Sequence, residues 1–245
     1  VQLGDIRGVT GKIVPQIWLL SAGSPCQSFS LAGKRKGMVT TNNVTVTSLA
    51  QYLKLKKSGF EFQGQSYLFW EFVRVLKEVK PKYFLLENVK MDKKWEDVIT
   101  KALGVKPILI NSSLVSAQNR ERLYWTNIPN IVPPQDRDIK LSSIIKGGKG
   151  YGVRCRKENG KYVPYGTTRK DGKSNCLTTK VDKTGLVQLS NGKTRELTFD
   201  ECEQLQTIPV GYTNVPHVSK TARYKMIGNG WTVDVISHIL SRITK

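Results

Sequence analysis

The chain has 245 residues, of which 39% are hydrophobic, an ordinary share for a globular protein with a sizeable core. Its 39 Lys and Arg residues exceed its 19 Asp and Glu residues, giving a formal net charge of +20. This excess is far above the magnitude of about 2–8 that solubility requires. It therefore predicts a polyanionic partner, with nucleic acid as the first candidate.

The sequence gives little support for a membrane protein or for a metal-binding protein. No stretch approaches the roughly 20 apolar residues that cross a bilayer, and the first residues, VQLGDIRGVT, do not read as a signal peptide. The four cysteines form no C-x-x-C pair and there are only two histidines, so no metal site is predicted. Low cysteine use without a secretion signal indicates a reducing cytoplasm.

The first half of the chain alternates between strand-like and helix-like patterns. An apolar run at 17–20 that ends at Gly23 predicts a buried strand, and residues 66–80 have helical spacing before Pro81. Further strands are predicted at 82–89, 106–115 and 121–128, whereas 38–64 is interpreted as a long polar and basic connection. This alternation predicts an α/β layered domain with a mainly parallel sheet.

The second half has a different composition. Residues 129–193 are rich in Gly, Pro and Lys, which predicts a small, mostly β, basic lobe. Helices are predicted at 197–208, where Thr198 and Glu201 form a capping box, and at 230–243. We therefore divide the chain into 1–128, a lobe at 129–193, and a return to the first domain at 194–245.

Two reactive side chains follow predicted strands. Cys26 comes just after the first strand, and Glu87 lies at the end of another. Functional groups gather at the carboxyl ends of strands in such sheets, which predicts a shared site. A nucleophilic cysteine needs exposure and positive neighbours, here Lys34, Arg35 and Lys36. The alternatives are a buried structural cysteine and a capping or salt-bridged glutamate.

Two arginines accompany them. Arg120 and Arg122 lie on one side of an extended segment, with Glu121 on the other. Two guanidinium groups converging on one face suit an anionic or oxygen-rich ligand, although a solvated basic face remains the alternative.

Several short segments together resemble the cytosine-C5 DNA methyltransferases of bacterial and phage type. Collinear with the family's motifs are GDI (4–6), SPCQ (24–27), GKRKGM (33–38), QSYLFWEF (65–72), ENV (87–89), Q-x-R-x-R (118–122), RELTFDECEQLQTIP (195–209) and KMIGNGWTV (225–233). The resemblance covers nearly the whole chain. It implies a Rossmann-like, S-adenosylmethionine-dependent methyltransferase sheet with a small, mostly β target-recognition lobe at 129–193.

The resemblance also implies a mechanism. The Cys26 thiolate would attack C6 of a cytosine flipped out of duplex DNA, and Glu87 would contact N3 and stabilise the resulting enamine. The other catalytic residues would be Arg122 and Arg120: Arg122, with Arg120 nearby, would hold the cytosine O2 and the anionic surroundings. The implied S-adenosylmethionine contacts are Asp5, Ile6, Pro25, Leu68, Asn229 and Gly230. The implied DNA contacts are Gln27, Ser28, Lys34, Arg35 and Lys36. The expected location is the nucleoid-associated cytoplasm of a bacterial or phage-infected cell.

The sequence departs from the family pattern at three places. The glycine-rich loop that holds S-adenosylmethionine normally precedes the GDI segment, and no F-x-G-x-G occurs in the 245 residues. We therefore expect a preceding segment, or a second polypeptide, to supply that motif. The usual Gly-Asn-Ser is Gly228-Asn229-Gly230, and Gln204 stands where an arginine is usual.

Two other functions remain open at this stage. The missing glycine-rich loop allows an inactive DNA-binding or regulatory module, and the same chemistry serves RNA cytosine methylation. The Pro25-Cys26-Gln27 tripeptide and the dedicated basic lobe favour duplex DNA.

Overall fold

The computed structural model describes residues 1–29, 37–158, 161–179 and 185–243, with side chains described throughout except at 154–158, 162 and 164. The chain packs into two compact units. The first unit comprises Val1–Leu109 and Glu121–Val132, and the second comprises Ile110–Arg120 and Pro133–Lys245. These two packing units do not correspond to the functional domains predicted at 1–128, 129–193 and 194–245. The functional domains stay a prediction.

The helices and strands follow the chain in an order close to the predicted one. They are β1 (Leu19–Gly23), α1 (Leu49–Lys57), α2 (Phe69–Val79), β2 (Tyr83–Val89), α3 (Lys93–Leu103), β3 (Ile108–Asn111), β4 (Glu121–Thr126), β5 (Lys149–Glu158), β6 (Lys161–Thr168), β7 (Leu186–Gln188), β8 (Thr194–Glu196), α4 (Phe199–Leu205), α5 (Lys220–Asn229) and α6 (Val233–Leu240). Within the described ranges, no helix is long and apolar enough to cross a membrane.

The first sheet is mixed. Its strand order is β1-β2-β4-β3, with β1 parallel and β4 antiparallel to β2. The prediction of a mainly parallel sheet is therefore wrong for this pairing. The connection from β3 to β4 covers only 112–120, which is shorter than the dozen or more residues a parallel crossover requires.

Helix α2 supplies much of the first unit's core. Its apolar residues recur at helical spacing, so Phe69, Phe72 and Val73 are buried together with Trp70. The segment 38–64, interpreted from sequence as a connection, contains helix α1, and helix α3 was also not predicted. Both helices contribute few buried side chains to the core. They are Tyr52 in α1, and Trp95 and Ile99 in α3.

A buried carboxylate joins α1, α2 and the N-terminal segment. Glu71 is fully buried and accepts hydrogen bonds from Tyr52 (2.5 Å), Lys56 (2.6 Å) and Arg74 (2.7 Å). Burial raises the pKa of Glu71, but these donors outweigh burial and the net shift is downward. Arg74 also donates to the carbonyls of Ile6 (3.0 Å) and Val9 (2.7 Å). The GDI segment is thus held by helix α2.

The second unit contains an antiparallel sheet of order β6-β5-β7-β8, as expected for a mostly β lobe. Helix α4 begins at Thr198 with the predicted capping box to Glu201. Its buried face contributes Cys202 and Leu205 to a cluster with Leu197 and Ile227. Helix α5 was not predicted.

Replacing Glu71 with Gln tests the buried network. The substitution leaves Lys56 and Arg74 without their shared carboxylate, and breaking a buried pair costs about 3–5 kcal/mol of unfolding free energy. Urea denaturation of Glu71→Gln is expected to show a loss of that size. The matched control is Glu96→Gln, whose pairing with the exposed Lys93 is worth about 0–1 kcal/mol. Equal effects of the two substitutions would contradict this account.

Candidate active site

The parallel pairing of β1 with β2 brings the predicted cysteine and glutamate to one sheet edge. Gly23, the last residue of β1, is in register with Glu87 of β2. Cys26 follows three residues later and is half-buried. The side-chain amide of Asn88 donates to the Ser24 carbonyl (3.2 Å) and to the Ser24 hydroxyl (2.9 Å). These bonds hold the start of this loop to β2.

Ser66 fixes the loop around Cys26 from the other side. Its hydroxyl donates to the Pro25 carbonyl (2.8 Å) and accepts from the Ser28 amide (3.2 Å), and its side chain is fully buried. The Phe29 amide closes the turn onto the Cys26 carbonyl at 2.9 Å. Ser66 was not predicted, because a serine before an apolar helix is indistinguishable in sequence from an ordinary helix start.

Glu87 and Arg122 form an ion pair at this edge. The Arg122 Nε lies 2.8 Å from a Glu87 carboxylate oxygen, and their side chains are only 14% and 11% exposed. The pairing follows from strand geometry. Arg122 in β4 is in register with Val89 of β2, and Glu87 lies two residues before Val89, on the same face of the strand. Glu87 is thus salt-bridged, which agrees with the alternative of a salt-bridged structural glutamate. The pair also holds an oriented carboxylate beside the segment that carries Cys26.

Arg120 has a different set of partners. It is 3% exposed and donates to the carbonyls of Leu177 (2.9 Å), Gly228 (3.3 Å) and Gly230 (2.9 Å), all within the second unit. A shared ligand of Arg120 and Arg122 therefore stays a prediction. The observed contacts give Arg120 a structural role, and its catalytic role stays a prediction without support from them.

The predicted cofactor residues of the first unit offer suitable chemistry. The exposed Asp5 carboxylate pairs with Arg7, whose hydrogen bonds lower the pKa of Asp5 to about 2, so it stays ionised. Beside it Ile6 is partly buried, as are Pro25 and Leu68. An ionised acceptor and apolar side chains fit the amino or hydroxyl groups and the apolar faces of S-adenosylmethionine.

The second unit carries the other two predicted cofactor residues. Asn229 is exposed at the end of α5, and the Gly230 carbonyl accepts from Arg120 (2.9 Å) and Gln206 (3.1 Å). Next to them, a side chain at Gly228 would come within 2.2 Å of the Thr178 carbonyl oxygen. Glycine at 228 therefore permits the close approach of α5 to the segment around Thr178.

The predicted DNA contacts are only partly described. Gln27 is exposed, whereas Ser28 is buried, with Gly64 so close that a side chain there would come within 2.7 Å of the Ser28 hydroxyl. Lys34, Arg35 and Lys36 lie outside the described residues. All five DNA contacts stay predictions.

Solved structures define the class to which this fold belongs. The chain resembles Spodoptera frugiperda DNMT2, crystallised as a mutant, with a TM-score of 0.61 and 17% identity over 97% of this chain and 83% of that one. It also resembles the Entamoeba histolytica methyltransferase EhMeth, with a TM-score of 0.62 and 12% identity over 100% of this chain and 84% of that one. At these identities the likeness shows a shared fold alone.

The chain belongs to the C-5 cytosine-specific DNA methylase family, whose model matches residues 1–140 and 120–245. It is 28% identical to the type II methyltransferase M1.ScrFI of Lactococcus lactis subsp. cremoris, over 98% of this chain and 65% of that protein. It is 26% identical to M.HhaI of Haemophilus parahaemolyticus, over 98% of this chain and 80% of that protein. The chain thus spans less than two thirds of the length of M1.ScrFI.

Cysteine alkylation tests the contrast between exposed and buried thiols. Cys26 is half-buried, whereas Cys202 is 1% exposed and burial raises its pKa to about 12. Iodoacetamide at pH 8 is expected to modify Cys26 in the native protein and to leave Cys202 unmodified, as measured by peptide mass spectrometry. Urea-unfolded protein is the control, in which Cys202 should react. Native modification of Cys202 before Cys26 would contradict the burial described here.

Proposed function

We propose that this protein is a DNA (cytosine-5-)-methyltransferase that transfers a methyl group from S-adenosylmethionine to C5 of a cytosine flipped out of duplex DNA. The observation that carries the proposal is the sheet edge at which the Cys26 loop, tied to β2 through Asn88 and Ser24, follows a strand in register with Glu87. Family membership supports cytosine C5 chemistry, and the basic composition supports a nucleic-acid substrate.

The first chemical step belongs to Cys26. Its thiolate adds to C6 of the flipped cytosine, forming an S–C6 bond and moving an electron pair towards C5 and N3. Glu87 contacts N3 and stabilises the resulting enamine. Arg122 holds the Glu87 carboxylate at 2.8 Å, so this contact is preorganised rather than formed during the reaction.

The second step restores the aromatic ring. S-adenosylmethionine, when bound, supplies an electrophilic methyl group; Asp5, Ile6, Pro25, Leu68, Asn229 and Gly230 are the residues that would hold it. Once C5 is methylated, with S-adenosylhomocysteine as the leaving group, the C5 proton passes to water, the C5–H electron pair forms the C5=C6 double bond, and the S–C6 bond breaks. Cys26 leaves as a thiolate, ready for another cycle. The reaction is thus balanced without an oxidant or reductant.

Duplex DNA is favoured over RNA as the substrate. The relatives are named as type II methyltransferases and, for a protein of Bacillus phage SPR, as an orphan methyltransferase. The likeness to DNMT2 rests on 17% identity and concerns the fold. Methylation of duplex DNA is expected to resist an excess of structured RNA competitor and to fall steeply with added salt, because phosphate contacts release counterions. Preferred methylation of RNA would identify the alternative substrate.

Covalent trapping tests the assigned nucleophile. Fluorine replaces the C5 hydrogen and cannot leave as a cation, so a 5-fluorocytosine duplex with S-adenosylmethionine should leave the DNA attached to Cys26. Cys26→Ser is expected to abolish the adduct on a denaturing gel. The matched control is Cys176→Ser, because Cys176 is also half-buried. Trapping of Cys26→Ser at the wild-type level would show that the nucleophile is wrong.

Glu87→Gln tests the second catalytic group. A carboxylate positioned for acid–base catalysis contributes about 10²–10⁴-fold in rate, so loss of the Glu87 contact to N3 should slow methyl transfer by about that factor while DNA binding is kept. Both experiments are run with the chain alone and with a glycine-rich segment added as a separate polypeptide. Absence of S-adenosylmethionine binding by calorimetry in both cases would favour the inactive DNA-binding module.

A further inference from the structure

An arginine in the second unit is held in a fixed orientation just after strand β6. The Arg169 Nε donates to one oxygen of Asp171 at 3.0 Å, and one terminal nitrogen donates to the other oxygen in a close bidentate ion pair. The second terminal nitrogen lies 3.5 Å from the side-chain amide oxygen of Asn175. The Arg169 backbone amide donates to the Gly150 carbonyl at 2.8 Å, which anchors the residue to β5.

These contacts leave one particular edge of the guanidinium available. An arginine has five N–H groups in a planar fork. Asp171 takes the Nε hydrogen and one hydrogen of one terminal nitrogen, and the Asn175 side chain lies at hydrogen-bond distance from the other terminal nitrogen. One N–H group therefore remains on each terminal nitrogen, and no other acceptor within the described residues takes either of them. The guanidinium tip formed by these two nitrogens matches a ligand with two adjacent acceptors.

The arginine borders an open, polar recess of about 400 Å³. The recess is lined by Thr167, Thr168, Arg169, Lys170, Asp171 and Asn175. The side chain of Arg169 is 25% exposed, so it reaches the recess without being free to sample many rotamers. Polar lining and a preorganised donor pair are the properties of a specificity contact rather than of a solubilising surface.

We propose that Arg169 reads a guanine in the major groove of the target DNA, donating from its two tip N–H groups to O6 and N7. This proposal rests on the proposed function, because it takes duplex DNA as the partner. Guanine is the base that presents two adjacent acceptors in the major groove, and a bidentate arginine is its commonest specific contact. Asp171 supports the arginine in the required plane.

Charge distinguishes guanine from a phosphate as the ligand. Arg169 and Asp171 together carry no net charge, and the hydrogen bonds from Arg169 lower the pKa of Asp171, so the carboxylate stays ionised. A phosphate at the arginine tip would therefore meet a nearby negative charge. A guanine edge carries no net charge, so the same carboxylate would repel it much less. Lys170 is exposed, and an exposed lysine ammonium group is suited to contact a phosphate.

The test is a binding selection from randomised DNA duplexes, which requires no methyl transfer. Wild type is expected to select a site with a required guanine, and Arg169→Ala is expected to lose about 5- to 150-fold of the preference at that base pair, as one bidentate contact predicts. Asp171→Asn, which releases the arginine, should relax the same base pair to a smaller extent. Lys170→Ala is the matched control, and should weaken binding to all sequences equally.

Replacing the selected guanine with 7-deazaguanine provides a second readout. The analogue lacks the N7 acceptor, so it should weaken binding of wild type and leave binding of Arg169→Ala unchanged. A uniform loss of affinity in Arg169→Ala, with an unchanged base preference and a reduced salt dependence, would identify a phosphate contact and overturn the proposal. An unselective wild type would overturn it as well. Failure of trapping at Cys26 with a normal selection would instead count against the proposed function alone.

Discussion

The parallel register between β1 and β2 is the constraint on which the candidate site depends. It sets Gly23 opposite Glu87, and the bonds from Asn88 to Ser24 continue the alignment beyond the last paired residue. Because side chains alternate along a strand, a slip of one residue would turn Glu87 to the opposite face of the sheet. The chemistry proposed for Cys26 and Glu87 therefore requires this pairing before any catalytic detail.

The buried carboxylates of the chain serve different purposes. Glu71 and Glu203 are fully buried and are each surrounded by donors from their own unit: Glu71 holds helix α1 and the N-terminal segment to α2, and Glu203 binds the amides of Gly211 (2.6 Å) and Thr213 (2.8 Å). Glu87 lies at the end of a strand and is paired with Arg122, beside a loop that carries a thiol. Burial alone therefore does not distinguish Glu87, the carboxylate for which we propose a function; its position at the sheet edge does.

Helices with a wide apolar stripe were predictable, and those with a narrow one were not. Helix α2 buries a continuous face, which the spacing in its sequence reveals. Helix α1 is lysine-rich and fully buries Tyr52, and helix α5 is polar with Ile227 and Gly228 buried at its end. Such helices are stabilised by the surface they dock on, and that surface is assembled from distant parts of the chain. The mixed sheet was missed for another reason: the alternation of strands and helices predicts parallel strands, although the short connection from β3 to β4 excludes a parallel crossover.

The sequence by itself determined the reactive residue types, their order along the chain and the family to which that order belongs. Cys26, Glu87 and Arg122 could be chosen because thiol, carboxylate and guanidinium chemistry is local to a side chain and its motif. Only the tertiary structure decided which partners these groups meet. Arg120 and Arg122 are two residues apart, yet one binds Gly228 and Gly230 carbonyls and the other binds Glu87. Hydrogen bonds act over about 3 Å, and spacing along the chain does not specify which atoms folding brings within that distance.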